Sequence, residues 1–129
     1  MRALPATIEG LRQAYCDPLI LAVHADEGVL KGLTAEVDWR LAGRLTDWLR
    51  SGRFQHDAPI LAPKSPFLPA GRLLFWRVGS VTPRDLSEAL MDLGQSQAGI
   101  CPSDFGFDAR EVTACFERSI TIFEGVGRV

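Results

Sequence analysis

PLILAVH, residues 18–24, decides the fold, because its apolar side chains occupy both faces of an extended chain. Successive side chains of a β-strand point to opposite faces of the sheet. One face therefore carries Leu19, Leu21 and Val23, and the other carries Ile20 and Ala22. A strand that is apolar on both faces belongs in the interior of a sheet covered by two layers. We predict that this strand is central and that helices cover both of its faces.

Helix and strand signals alternate along the rest of the chain, with no linker or repeat between them. The predicted helices cover residues 5–15, residues 35–51, a segment that starts at 82–83, and residues 109–124. The predicted strands cover residues 18–24, 58–62, 72–78 and 98–101. Pro59 favours an edge position for the strand that contains it. Four helices and about four strands in alternation predict an α/β three-layer sandwich, built as one domain over residues 1–129.

Residues 35–51 form the clearest predicted helix. Thr34 is expected to cap its start, and Gly52 is expected to end it. Its apolar residues recur at helical spacing and predict one core-facing stripe: Val37, Leu41, Leu45, Trp48 and Leu49.

Two later helices begin with a capping residue followed by an acid three positions on. Thr82 pairs in this way with Asp85, and Asp108 pairs with Glu111. The core stripe predicted for the last helix is Val112, Phe116, Ile120 and Phe123.

From Asp17 to Gly79 the elements follow a recognisable order: strand, loop, helix, an SGRF turn at 51–54, strand and glycine-terminated strand. This order resembles the N-terminal domain of the leucyl aminopeptidase family. Beyond Gly79, SDFGFDAREV (103–112) is similar to the acidic start of that domain's last helix. The resemblance implies a macro-domain-like fold, with a mixed sheet flanked by helices.

In that family the two-metal peptidase site lies in a second, C-terminal domain, with metal ligands in motifs such as NTDAEGR. No such string occurs in the 129 residues, so the resemblance assigns no catalytic residue, no metal and no cofactor. Neither His24 nor His56 has a second His or Cys at ligand spacing. We therefore predict a non-catalytic module that acts through a protein partner or through self-association as a homo-oligomer.

The composition argues against several classes of function. The net charge is -2 and the only lysines are Lys31 and Lys64, so we expect no nucleic-acid contact. The longest apolar run is far shorter than the roughly 20 residues that cross a membrane, and the N-terminus does not have the pattern of a secretion signal. Three cysteines, an odd number set beside apolar residues, are typical of reduced thiols in the cytoplasm.

The loop that contains Gly79, Ser80 and Thr82 is the candidate ligand site. It leaves the carboxyl end of an interior strand and leads into a helix start, where free N–H groups and the helix dipole favour anions. Macro domains bind ADP-ribose through glycine-rich loops at a comparable edge. The resemblance therefore implies an alternative function, the binding of a nucleotide or other phosphorylated small molecule, with loop 25–32 as a second contributor. The other interpretation of Gly79–Thr82 is simple capping of the helix.

Trp39 is a large aromatic residue on the predicted polar face of helix 35–51, opposite the apolar stripe. Gly43 lies one turn along, and Arg50 flanks the same side. Trp and Arg are favoured anchors of protein interfaces, so Trp39, Gly43 and Arg50 form the candidate interface. The alternative is that the Pro-rich segment 63–71, which contains Phe67, folds over Trp39 within the same chain.

Overall fold

The computed structural model describes residues 3–55, 59–79, 81–93, 97–115 and 120–125, which form six strands and six α-helices. The strands are β1 (Leu4–Pro5), β2 (Leu19–Val23), β3 (Ile60–Ala62), β4 (Leu73–Arg77), β5 (Gly99–Ile100) and β6 (Thr121–Glu124). The helices are α1 (Ile8–Gln13), α2 (Gly32–Arg40), α3 (Arg44–Arg50), α4 (Pro83–Leu93), α5 (Pro102–Phe105) and α6 (Ala109–Cys115). A short 3-10 turn, Ala25–Glu27, follows β2.

All six strands belong to one sheet, in the order β1-β6-β5-β2-β4-β3. The first five strands in that order run parallel, and β3 is antiparallel to β4. The predicted mixed sheet is therefore confirmed, and β3 lies at the edge, as Pro59 indicates. Because the five parallel strands point the same way, their carboxyl ends meet at one side of the sheet, which we call the carboxyl edge.

Strand β2 lies inside the sheet, and all five of its residues are buried. The alternation predicted from PLILAVH is confirmed. Leu19, Leu21 and Val23 belong to the core beneath α1, α2 and α3. Ile20 and Ala22 belong to the core beneath α4, α5 and α6. Two cores on opposite faces of one sheet make the three layers that the sequence predicts.

The prediction of one continuous helix over 35–51 is wrong, because this segment forms two helices, α2 and α3. The chain turns between them, where Ala42 (φ 57°) and Gly43 (φ 82°) adopt a left-handed backbone. The Asp38 carboxylate then caps α3, since its Oδ1 accepts from the N–H groups of Leu45 at 2.8 Å and Thr46 at 3.1 Å. A carboxylate that satisfies the free N–H groups of a new helix start stabilises the break.

The stripe predicted for this segment nevertheless faces the core. Its members are buried or half-buried against the same cluster: Val37, Leu41, Leu45, Trp48 and Leu49. The predicted cap is wrong, because Thr34 lies within α2 and is fully buried. Its hydroxyl donates to the carbonyl oxygen of Ala22 at 2.6 Å and so ties α2 to β2. Gly52, with φ 82°, follows Ser51, the C-cap of α3, so the helix ends next to Gly52 as predicted.

The predicted helix over 109–124 is also wrong in its second half. Helix α6 extends to Cys115, and residues 121–124 form β6, which pairs with β1 and β5. Ile122 and Phe123 are both buried, on opposite faces of the sheet, as an interior strand requires. Phe116, which the helical stripe included, lies outside the described residues. Asp108 does begin α6, since its Oδ1 accepts from the N–H of Arg110 at 3.0 Å.

The predicted helix over 5–15 divides in a similar way. Residues 4–5 form β1, and α1 begins at Ile8 after a Thr7 cap whose hydroxyl accepts from the N–H of Gly10 at 3.2 Å. Tyr15, at the end of the predicted helix, is 51% exposed because α1 has already ended at Gln13. The four predicted helices therefore become six within the described residues, and the short helix α5 is among those that the sequence pattern did not indicate.

Candidate functional site

A cleft of about 730 Å³ opens at the carboxyl edge, between the ends of β1 and β6 and the start of α2. We call it the edge cleft. Its lining includes Thr7, Leu30, Lys31, Gly32, Ala35 and Glu36. Pockets that bind small molecules commonly measure about 300–1,000 Å³, and ligands of open α/β sheets bind outside the carboxyl ends of the strands. The edge cleft thus has the size and the position of a ligand site.

The start of α2 depends on glycine because the chain is tightly packed there. Gly32 has a left-handed backbone, with φ 57°, and a Cβ atom at this position would lie 2.0 Å from Oδ1 of Asp104. The loop after β2 and the segment after β5 therefore meet at Gly32, on the wall of the edge cleft. No side chain fits between them.

Asp104 forms the contact between these two segments. Its Oδ2 accepts from the backbone N–H of Leu33, in the first turn of α2, at 2.9 Å. Burial raises the pKa of the Asp104 carboxyl, while the Leu33 N–H and the nearby His24 act in the opposite direction. Asp104 takes part in none of the ion pairs formed among the described residues.

Glu27 links two cationic or ionisable side chains of the loop after β2. Its Oε2 lies 3.1 Å from Nδ1 of His24, and its Oε1 lies 2.6 Å from Nζ of Lys31. The hydrogen bond from Lys31 is the main cause of a lowered pKa at the Glu27 carboxyl. The contact between Lys31 and Glu27 is solvent-exposed and contributes little to stability, but it holds Lys31 at the wall of the edge cleft.

A second link fixes the 3-10 turn to the neighbouring strand. Arg77, at the end of β4, places Nη2 2.5 Å from Oδ1 of Asp26 and donates through Nη1 to the Gln55 carbonyl oxygen at 2.9 Å. The loop after β2 is therefore anchored at Asp26 by β4 and at Leu33 by Asp104. Such anchoring gives a binding loop a fixed shape.

The loop proposed from the sequence as a ligand site begins at Gly79, two residues after β4, where φ is 96°. Ser80 lies outside the described residues. Thr82 and Asp85 form the predicted capping box at α4: Thr82 Oγ1 accepts from the Asp85 N–H at 3.2 Å, and Asp85 Oδ2 accepts from the Thr82 N–H at 2.9 Å. Neither Gly79 nor Thr82 is among the residues that line the edge cleft. A ligand contact at this loop stays a prediction.

Trp39, central to the candidate interface, lies near the end of α2 and is 83% exposed. The alternative in which segment 63–71 covers it is therefore wrong: Phe67 is itself 64% exposed, although its carbonyl oxygen accepts from Arg40 Nε at 3.3 Å. Gly43 lies in the break before α3, and Arg50 is exposed in the last turn of α3. Trp39 and Arg50 thus stand on different helices, and their joint role stays a prediction.

A second cleft, of about 450 Å³, lies between α6, strand β6 and Ala3, the residue before β1. Ala109, Arg110, Thr113 and Ala114 line one side of it, and Ile122 lines another. This second cleft shares no lining residue with the edge cleft, so it offers a comparison for experiments on the edge cleft.

Sequence reasoning included Lys31 within loop 25–32, the second contributor to the alternative ligand site, but it missed Asp104 as a residue of the edge. The sequence gives no sign of the contact between Asp104 and Leu33, which lie 71 positions apart. A general rule of parallel sheets could have suggested that Asp104 lies at this edge. Loops that follow parallel strands lie at the same edge, so segment 101–106 after the predicted strand 98–101 could have been placed beside loop 25–32.

A mixed six-stranded sheet with helices on both faces and a cleft at its carboxyl edge is a macro-domain-like fold. Among solved structures, the chain is similar to the macrodomain of Mycobacterium tuberculosis DarG, with a TM-score of 0.59 over 92% of this chain and 93% of that chain. The sequence identity is 13%, so the likeness establishes the fold alone. No protein-family model and no curated protein sequence matches the chain. The macro-domain-like part of the sequence resemblance is confirmed, and the comparisons give no support to leucyl aminopeptidase in particular.

Within the described ranges, no group of three or more His, Cys, Asp and Glu side chains is arranged to hold a metal ion. No helix in the described part of the chain has both the length and the apolar character needed to cross a bilayer.

Proposed function

We propose that this protein binds a nucleotide or related phosphorylated small molecule of the ADP-ribose type in the edge cleft. The observation that carries the proposal is the position of the edge cleft, at the carboxyl edge of a macro-domain-like sheet. Macro domains bind ADP-ribose at a comparable edge, so this alternative from the sequence is favoured over protein–protein interaction.

The chemistry of the wall supports such a ligand. Lys31 supplies a cation at the wall of the edge cleft. The start of α2 directs the positive end of a nine-residue helix at the same wall. Apolar surface from Leu30 and Ala35 completes a mixed lining of the kind that holds a base or a sugar face.

The test is calorimetric titration of the purified chain with ADP-ribose, together with thermal unfolding at saturating ligand. We expect ADP-ribose to stabilise the folded chain by more than about 1 kcal/mol. Ala35→Phe should fill the edge cleft and weaken binding by at least about tenfold, which corresponds to about 1.4 kcal/mol. Ala114→Phe places the same bulk at the second cleft and should leave the affinity within about twofold of the wild type.

Two results would count against the proposal. One is the absence of stabilisation by ADP-ribose, AMP or ADP at millimolar concentration. The other is a loss of affinity for ADP-ribose in Ala114→Phe with no loss in Ala35→Phe, which would show that the ligand binds in the second cleft.

A second candidate function is the one that the aminopeptidase resemblance suggests, a non-catalytic module in the cytoplasm that acts through a protein partner or self-association. The exposure of Trp39, at 83%, favours it, since a bare Trp is a common interface anchor. Light scattering across a concentration series tests the self-association form. A mass that rises with concentration in the wild type and stays monomeric in Trp39→Ala supports self-association. A monomeric mass at every concentration in both proteins rules self-association out.

A further inference from the structure

Three large hydrophobic side chains are more exposed than any other among the described residues. They are Trp39, Met91 and Phe67, with exposed fractions of 83%, 70% and 64%. Trp39 and Phe67 lie on the same side of the sheet, because the carbonyl oxygen of Phe67 accepts from Nε of Arg40, the neighbour of Trp39 in α2. Met91 lies on α4, which covers the opposite side of the sheet. The molecule therefore exposes large apolar side chains on both sides.

The surroundings of Trp39 and Phe67 are basic. Arg40 ends α2, and Arg44 follows across the turn as the first residue of α3. Both arginines are exposed, and neither takes part in the ion pairs formed among the described residues. We call Trp39, Arg40, Arg44 and Phe67 the front patch. The exposed charged residues between positions 39 and 53 are four bases and one acid: Arg40, Arg44, Arg50, Arg53 and Asp47.

The surroundings of Met91 are acidic. Glu88 lies three positions before Met91 in α4 and Asp92 directly follows it, so the three residues share the outer side of the helix. All three are exposed, and neither acid takes part in the ion pairs formed within the described part of the chain. We call Glu88, Met91 and Asp92 the back patch. The exposed charged residues of α4 are two acids and one base: Glu88, Asp92 and Arg84.

We propose that the front patch of one copy of this chain binds the back patch of a second copy. Each patch combines exposed apolar surface with charges of one sign, and the two signs are opposite. Complementary charges steer two surfaces together and fix their register, while an aromatic side chain with neighbouring arginines is a common anchor of an interface. This inference rests on the self-association form of the second candidate function, and it does not depend on ligand binding in the edge cleft.

The positions of the two patches determine the form of the assembly. They lie on opposite sides of the sheet, so the contact joins different surfaces of the two copies and leaves one patch free at each end of a pair. Such a contact adds further copies, as a ring or as an open chain. We expect the wild-type mass in light scattering to rise beyond that of a dimer with increasing concentration. Salt at about 0.5 M should weaken the association, because it screens exposed charges.

Two variants separate this contact from other forms of self-association. Trp39→Ala removes the anchor of the front patch and leaves the back patch intact, whereas Met91→Lys places a cation in the back patch and leaves the front patch intact. Both positions are exposed, so neither substitution should prevent folding, which circular dichroism checks. Each variant alone should associate at least about tenfold more weakly than the wild type.

The decisive measurement is the mass of an equimolar mixture of the two variants. The mixture should form a dimer and nothing larger, because the back patch of Trp39→Ala and the front patch of Met91→Lys are the one productive pair that remains. Tyr15→Ala is the control, since it removes an aromatic side chain that is 51% exposed outside both patches. It should associate as the wild type does.

Three outcomes overturn the inference. A wild-type mass that stays monomeric at every concentration in low salt removes the inference together with self-association, and leaves ligand binding in the edge cleft unaffected. A wild type that associates while the mixture of variants stays monomeric shows that the copies meet through other surfaces. A wild type that stops at a dimer, which Met91→Lys also forms, shows that the front patch pairs with itself.

Discussion

Replacing Phe75 by alanine is expected to lower the free energy of unfolding by about 3–5 kcal/mol. Phe75 lies in β4 and is 1% exposed. Its ring meets Trp48 edge-on, with centroids 5.9 Å apart, and Phe54 in a tilted arrangement at 5.4 Å. The substitution removes apolar burial and two aromatic contacts at once, and the surrounding β-strands cannot collapse into the space. Urea denaturation followed by circular dichroism measures the change.

Phe67→Ala is the control for this prediction, because the same side chain is lost from a position that is 64% exposed. It should change the free energy of unfolding by no more than about 0.5 kcal/mol. If the two variants were equally stable, Phe75 would not lie in the core, and the register of β4 between β2 and β3 would be incorrect.

Gly10→Ala is expected to cost about 3 kcal/mol, at the upper end of the range for overpacking. A Cβ atom at Gly10 would lie 1.8 Å from the carbonyl oxygen of Pro5, which is a backbone atom and cannot rotate away. The helix α1 must therefore move off β1, and the parallel pairing of β1 with β6 is disturbed with it. Thermal unfolding of the variant against the wild type gives the size of the effect.

Gly125→Ala gives the comparison, since a Cβ atom there meets no heavy atom within 4 Å. Its unfolding temperature should stay close to that of the wild type. A Gly10→Ala variant as stable as Gly125→Ala would contradict the close approach of α1 to β1.

Predictions of secondary structure and strand position from the sequence are most accurate where the signal lies within a few residues. The two-faced apolar pattern of β2 placed this strand inside the sheet, because alternation within five residues reports directly on burial. The capping box of Thr82 and Asp85 located the start of α4, since both of its hydrogen bonds span three residues. Pro59 indicated an edge strand, and β3, which begins at the next residue, does lie at the edge of the sheet.

The predictions failed where a distant contact overrides a local pattern. Apolar residues at helical spacing in 109–124 favoured one helix, but residues 121–124 gain more by pairing with β1 and β5 as an interior strand. In 35–51 the periodicity of the stripe is real, yet the carboxylate of Asp38 begins a second helix across the turn at Gly43. Helical spacing alone does not distinguish one continuous helix from a helix followed by a strand, or from two successive helices.

The candidate ligand site was the part of the molecule that was least predictable from the sequence. The sequence directed attention to Gly79, Ser80 and Thr82, because a glycine before a helix start is a visible pattern. Loop 25–32, named as a second contributor, does line the edge cleft through Lys31 and Gly32. The contact of Gly32 with Asp104 was not indicated, because it joins two segments about 70 residues apart. Only the rule that loops after parallel strands share one edge could have suggested this pairing.

The most direct test of the central claim is an amide chemical-shift map of the wild-type chain titrated with ADP-ribose. We expect the largest shifts at the edge cleft, in the resonances of Thr7, Lys31, Gly32, Leu33 and Gly125. Shifts confined to the second cleft, at Ala109, Arg110, Thr113 and Ala114, or no shifts at millimolar ADP-ribose, would contradict the assignment of the edge cleft as a binding site for phosphorylated ligands.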